Sequence, residues 1–145
     1  MDALAARAPD SIAVLHALLT FPGGAEEAYL RAVATGRDDV GEDAAIDFRD
    51  NLLRPAEAAG LVARRGTRYD LDPPVLRAYV ERRRPPAPAA LEQYRRRQAA
   101  AMLTVARDYD DAIRDGRMTY SAPLEWANVA PRWIGWPGPR RAMTR

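Results

Sequence analysis

The sequence predicts a mainly α-helical protein with one small β-ribbon, and three observations support this prediction. Apolar residues recur at three- and four-residue steps over residues 12–53, as on one face of a helix. A short apolar-leaning run at 61–64, a turn at Arg65-Gly66 and an alternating segment at 67–71 instead follow one another as in a β-hairpin. A long helical stripe begins at Leu91, after a proline-rich segment. This order predicts a winged helix-turn-helix, three helices plus a two-stranded wing, followed by a long helix or helical hairpin.

The first three helices are predicted from their caps and breakers. Asp10 or Ser11 caps the first helix, which ends at the Phe-Pro-Gly-Gly turn of residues 21–24. Glu26 opens the second helix, and the third runs from about Ala44 until Pro55 makes it end or bend near residue 54. The predicted inward residues are Ile12, Leu15, Leu18, Leu19, Tyr29, Leu30, Val33, Ile46, Phe48, Leu52 and Leu53.

A further helix is predicted directly after the ribbon. Asp72 is a good N-cap, and Pro73 suits the first helical position because its missing N–H has no partner there. The charged, proline-stiffened segment around Arg84 is the best internal boundary, and a long helix from Ala89 to Asp115 follows it. We expect a winged-helix domain at 1–82, a Pro/Arg linker at 83–90, a helical extension at 91–129 and an irregular Trp/Arg tail at 130–145.

The long helix and the tail carry the candidate partner-binding residues. The helix has an apolar stripe that is interrupted by Gln98 and includes Met102 or Ala101. Such a stripe either packs against its own chain, binds a partner helix or mediates self-association. The tryptophans of the tail either dock on the long helix or form a patch for a partner. The candidates are Leu91, Tyr94, Met102, Val105, Tyr109, Trp126, Trp133 and Trp136.

Composition argues against catalysis, and no set of residues has the pattern of a nucleophile with its base. The chain has no cysteine, and a single His16 at helical spacing is typical of a structural residue. The aspartates at 108, 110 and 111 cluster beside arginines, and the four-residue spacing of Arg107 to Asp111 and of Asp110 to Arg114 favours surface ion pairs over a metal site. We therefore expect no enzyme, cofactor, metal or small-molecule substrate. Without a membrane span or signal peptide, we expect a cytoplasmic protein.

The charge is small in total and uneven along the chain. The formal net charge is +2, but residues 1–60 hold five arginines against eleven acids, whereas residues 61–97 hold ten against four. All 22 basic residues are arginine, which a GC-rich coding sequence would also produce, so a solvated arginine face stays an alternative. If the chain binds DNA, the wing and linker would supply the phosphate contacts. The candidates are Arg64, Arg65, Arg68, Arg82, Arg83 and Arg84.

Residues 12–80 resemble the winged-helix domain of STAND-class signalling ATPases of the NB-ARC type, common in actinobacterial regulators. The matches are the turn at 21–24, the residues Leu52, Leu53, Gly60, Leu61 and Val62 where the family's helix leads into the ribbon, Arg68, Tyr69 and Leu71 at the end of the ribbon, and Arg77 and Tyr79 beyond it. Asp72-Pro73 replaces the nucleotide-sensing histidine of that family, and the sequence contains no phosphate-binding loop. Nucleotide binding is therefore not carried over.

The resemblance implies a non-catalytic regulatory module that binds another protein or associates with itself. In this family the domain usually packs within the protein rather than on DNA. The alternative is a winged-helix transcriptional regulator, although the acidic residues of the third helix would face phosphates badly. A remnant of a larger ATPase without separate activity is a third reading.

Overall fold

The computed structural model describes residues 6, 8–37, 41–116 and 128, except the side chains of residues 109, 112 and 113. This part of the chain is mainly helical with a small three-stranded antiparallel sheet. The helices are α1 (Ile12–Leu18, after a 3₁₀ turn at Pro9–Ser11), α2 (Glu27–Thr35), α3 (Glu42–Asp47), α4 (Arg54–Ala58), α5 (Val75–Arg83) and α6 (Pro88–Arg114). The strands are β1 (Ala25–Glu26), β2 (Val62–Arg65) and β3 (Arg68–Leu71).

The predicted β-ribbon is present, but it is part of a sheet with a third strand. Strands β2 and β3 pair antiparallel, with Val62 opposite Leu71 and Arg65 opposite Arg68 around the turn. Strand β1 pairs with the other edge of β3 and places Ala25 opposite Tyr69. A strand of two residues leaves no alternating pattern to detect, so sequence reasoning predicted only two strands. The third strand attaches the ribbon to the segment between α1 and α2.

The third predicted helix continues past Arg54 instead of ending there. A π-helical segment, Phe48–Leu53, joins α3 to α4, and the Arg54 N–H donates to the carbonyl of Arg49, five residues back. Pro55 has no N–H to donate to Asn51. The buried Ser11 hydroxyl instead donates to the Asn51 carbonyl at 3.4 Å. The helix therefore adapts to the proline by widening rather than by stopping.

Helix α5 begins later than its sequence predicts. The residue that precedes its first turn is Pro74, in helical conformation, and no side chain caps the end. Asp72 is therefore not the N-cap. Its carboxylate instead accepts a hydrogen bond from Arg65 Nη2 at 3.4 Å. The predicted inward position of Ile46 is also wrong, since this side chain is 45% exposed beside the buried Phe48.

One core joins the helices, the sheet and the long helix. Phe21, Phe48 and Tyr69 are its aromatic members, and Met102 and Val105 of α6 are buried in the same cluster. The long helix was predicted within one residue at each end. The larger aliphatic side chains buried in this core are Val14, Leu15, Leu18, Leu30, Val33, Leu53, Val62, Leu71, Leu76 and Val80. No helix in the described ranges is long and apolar enough to cross a membrane.

Candidate functional site

Two arginines hold the turn between α1 and β1 through its carbonyl groups. Arg68 of β3 donates to the Gly23 carbonyl at 3.0 Å and to the Gly24 carbonyl at 2.6 Å. Arg77 of α5 donates to the carbonyls of Leu19 at 3.1 Å and Phe21 at 2.9 Å. Arg77 is also paired with a carboxylate of β3, Asp70, at 3.1 Å. The guanidinium groups thus join the turn, the sheet and α5.

Asn128 connects the same turn to the long helix. Its Oδ1 accepts from the Gly23 N–H at 3.1 Å, and its Nδ2 donates to the Gly24 carbonyl at 2.8 Å. Gln98 Nε2 of α6 donates to the Asn128 carbonyl at 2.9 Å. Both amide side chains are buried, so their hydrogen bonds replace those to water. We refer to Arg68, Arg77, Gln98 and Asn128 as the turn clasp.

The wing arginines are engaged by their own chain. Arg68 belongs to the turn clasp, and Arg65 forms an ion pair with Asp72 at 3.4 Å. Arg64 Nε donates to the carbonyl of Gly66 at 2.9 Å, and its guanidinium lies 5.9 Å from the ring centroid of Tyr69. These contacts compete with phosphate contacts. They weaken the assignment of the wing to DNA, most of all for Arg68, whose guanidinium donates to two carbonyls of its own chain.

Helix α3 and the π-helical segment that follows it present an acidic surface. Glu42, Asp43, Asp47 and Asp50 are exposed around the exposed Ile46, and we refer to these five residues as the α3 acidic face. Two arginines next to this face form ion pairs with carboxylates of the chain: Arg49 pairs with Glu27 at 2.7 Å, and Arg54 pairs with Asp50 at 3.1 Å. Close to DNA phosphates this surface would be repulsive.

Helix α5 presents a basic surface. Val75 is 70% exposed and Tyr79 is 45% exposed, one helical turn apart on the same side. Arg82 and Arg83 continue this side toward the end of the helix, and within the described residues neither forms an ion pair. We refer to Val75, Ala78, Tyr79, Arg82 and Arg83 as the α5 basic face.

The predicted partner stripe of the long helix faces the core of its own chain. Met102 and Val105 are buried, and Leu91 and Tyr94 are half-buried. The intrachain alternative therefore accounts for these four residues, whereas their binding of a partner stays a prediction. The side chain of Tyr109 and the three residues Trp126, Trp133 and Trp136 lie outside the part of the chain that the structure describes.

A cavity of about 580 Å³ lies beside the turn clasp, lined by Leu19, Thr20, Pro22, Arg77, Glu81, Arg95, Gln98 and Asn128. Arg77 is already bound to three acceptors there. Within the described ranges, no three His, Cys, Asp or Glu side chains lie close enough to hold a metal ion. The predicted surface pair between Asp110 and Arg114 is present at 2.6 Å.

His16 of α1 is half-buried against the segment that leads to the long helix. Its Nε2 donates to the Arg84 carbonyl at 2.9 Å, and its ring lies 6.4 Å from that of Tyr94, centroid to centroid. Burial lowers the pKa of His16, and the hydrogen bond to Arg84 partly opposes this effect. The contacts suit a structural imidazole, as the sequence predicts.

Comparisons with known proteins give no relative for this chain: no protein-family model, no curated protein and no solved structure matches it. The resemblance to STAND regulators therefore stays a prediction, and the candidate function depends on the surfaces described above.

Sequence reasoning missed the turn clasp and both helix faces. Asn128 and Gly24 are 104 residues apart, and nothing in the local pattern connects them. The α5 basic face had a usable signal, because Val75, Tyr79 and Arg82 lie at helical spacing on one side while Leu76 and Val80 form the buried side. The α3 acidic face was recognised as unfavourable for DNA but not as a surface that exposes Ile46.

Proposed function

We propose that the chain is a non-catalytic regulatory module that binds another protein through exposed helix faces on a winged-helix scaffold. The observation that carries the proposal is the α5 basic face, where Val75 and Tyr79 expose apolar surface next to two arginines without ion pairs in the described residues. Apolar groups rimmed by charge are typical of protein–protein contacts. The wing arginines, in contrast, are held by their own chain.

The test is affinity capture from an extract of the source cell with the purified 145-residue chain as bait. The informative variant is Val75→Ser with Tyr79→Ser, which removes the exposed apolar groups of the α5 basic face. The matched control is Leu103→Ser, since Leu103 of α6 is similarly exposed but lies outside both faces. We expect a protein that is retained by the wild type and the control and lost with the α5 variant. Equal capture by all three baits would count against the proposal.

Binding of duplex DNA is the second candidate function, and the exposed run of Arg82, Arg83 and Arg84 is the observation that favours it. Phosphate contacts make such binding strongly dependent on salt. An electrophoretic shift with random duplex DNA at low and moderate salt, repeated with Arg82→Ala and Arg83→Ala together, tests this reading. A shift that weakens steeply with salt and is reduced in the variant would favour DNA over a protein partner.

A further inference from the structure

The α3 acidic face and the α5 basic face are complementary in charge. Each has an apolar centre, Ile46 on α3 and the pair Val75 and Tyr79 on α5. The α3 acidic face carries Glu42, Asp43 and Asp47 next to Ile46, in addition to Asp50, which is paired with Arg54. The α5 basic face carries Arg82 and Arg83 next to Tyr79. Contact between the two faces would bury apolar surface on both sides and bring opposite charges together at the rim.

Both faces are exposed on the same chain, so neither covers the other within one molecule. Two α3 faces would repel each other because both are acidic, and two α5 faces would repel each other because both are basic. The favourable contact is therefore between unlike faces of different copies. Each copy carries one face of each kind, so the assembly either closes as a twofold dimer with two reciprocal contacts or continues into a ring or a chain.

We propose that the partner bound by the α5 basic face is a second copy of this chain, which presents its α3 acidic face. This inference rests on the proposed function and names the partner for it. The contact is small, with one helix surface from each copy, so it belongs to the weak and reversible class. Its rim charges lie near solvent, and salt therefore weakens the association through screening.

The decisive experiment is a charge swap followed by sedimentation velocity over a concentration series at low salt. One variant carries Asp43→Arg and Asp47→Arg and so has two basic faces. The other carries Arg82→Glu and Arg83→Glu and so has two acidic faces. We expect the wild type to associate with rising concentration, each variant alone to remain monomeric, and an equimolar mixture of the two variants to associate again.

Two further proteins complete the design. A chain that carries all four substitutions has one basic and one acidic face, and we expect it to associate as the wild type does. A control with Arg96→Glu and Arg107→Glu makes the same change in net charge as the variant with Arg82→Glu and Arg83→Glu, but on the exposed side of α6 and outside both faces, and we expect it to keep wild-type association. Circular dichroism of every variant confirms that the fold is retained.

The apolar centre has its own test. Val75→Ser with Tyr79→Ser removes the anchor without altering charge, and we expect the dissociation constant to rise roughly tenfold or more. A wild type that stays monomeric across the series, or variant mixtures that do not associate, would overturn the proposal. If the wild type is monomeric while capture from extract still depends on the α5 basic face, the second copy is excluded and the proposed function stands.

Discussion

Asn128 shows how a single buried amide can join distant parts of this chain. Replacing it with alanine leaves the Gly23 N–H without its acceptor and removes one donor to the Gly24 carbonyl. An unsatisfied buried polar group costs roughly 1–3 kcal/mol, and we expect Asn128→Ala to lower the free energy of unfolding by that amount. Urea denaturation measures it. Gln93→Ala, an exposed amide of α6, is the control, and equal effects of both would contradict the role of Asn128.

His16 makes stability depend on pH in a defined direction. Burial holds its pKa below the ordinary value of 6.5, so at mildly acidic pH the unfolded chain binds the proton more readily than the folded protein does. The stability associated with neutral His16 is therefore complete above pH 6.5 and declines as the pH falls below it. We expect His16→Gln to flatten this part of the profile, as measured by thermal unfolding at several pH values. Identical slopes in both proteins would contradict the assignment.

At the scale of elements, the end of α2 and the long helix meet at Gly36. This residue has φ +72°, and a Cβ added to it would lie 2.5 Å from Arg97 Cζ. Arg97 Nη1 donates to the Val33 carbonyl at 3.1 Å, so displacing the guanidinium removes a bond between the two helices. We expect Gly36→Ala to lower the free energy of unfolding by about 1–3 kcal/mol, from the left-handed backbone and the lost hydrogen bond together.

The matched control for Gly36 is Gly60→Ala. Gly60 has φ +66°, but a Cβ there would meet no other atom within 4 Å, so its substitution measures the backbone cost alone. Chemical denaturation of both variants and of Arg97→Ala separates the contributions. If Gly60→Ala costs as much as Gly36→Ala, the contact with Arg97 contributes nothing.

The elements that sequence reasoning predicted well are those with strong local signals. The long helix has a stripe of more than six turns, and Gly66 with the alternating residues around it identifies the β2–β3 ribbon. The start of α5 was wrong because Asp72 contacts Arg65 instead of the helix end. The π-helical segment was missed because its hydrogen bonds depend on Pro55 and on Ser11, which lies 40 residues away. Propensity describes neighbours along the chain, and these features depend on tertiary contacts.

The same distinction applies to the candidate site. The acidic and basic residues can be identified in the sequence, but the sequence does not show which of their side chains are free to contact a partner. Arg68 is a predicted wing contact, yet its guanidinium donates to the carbonyls of Gly23 and Gly24. Ile46 is 45% exposed whereas Phe48, two residues further on, is buried, although the sequence pattern predicted both to face the core. The regulatory function inferred from the sequence stays a proposal. The surface proposed to bind the partner now lies on α3 and α5 instead of on the long helix.

For the whole molecule, the burial of Met102 in the common core predicts that the long helix unfolds together with the helices before the linker. Met102→Ala removes a buried side chain, and we expect it to lower the free energy of global unfolding by about 2–5 kcal/mol. The adjacent Leu103→Ala is the control, because Leu103 is exposed and its loss should leave stability nearly unchanged. The far-ultraviolet circular dichroism, followed in a urea titration, should show a single transition, which moves to lower urea in Met102→Ala. Two separate transitions, with only one displaced, would instead show that residues 83–90 divide the chain into independent domains.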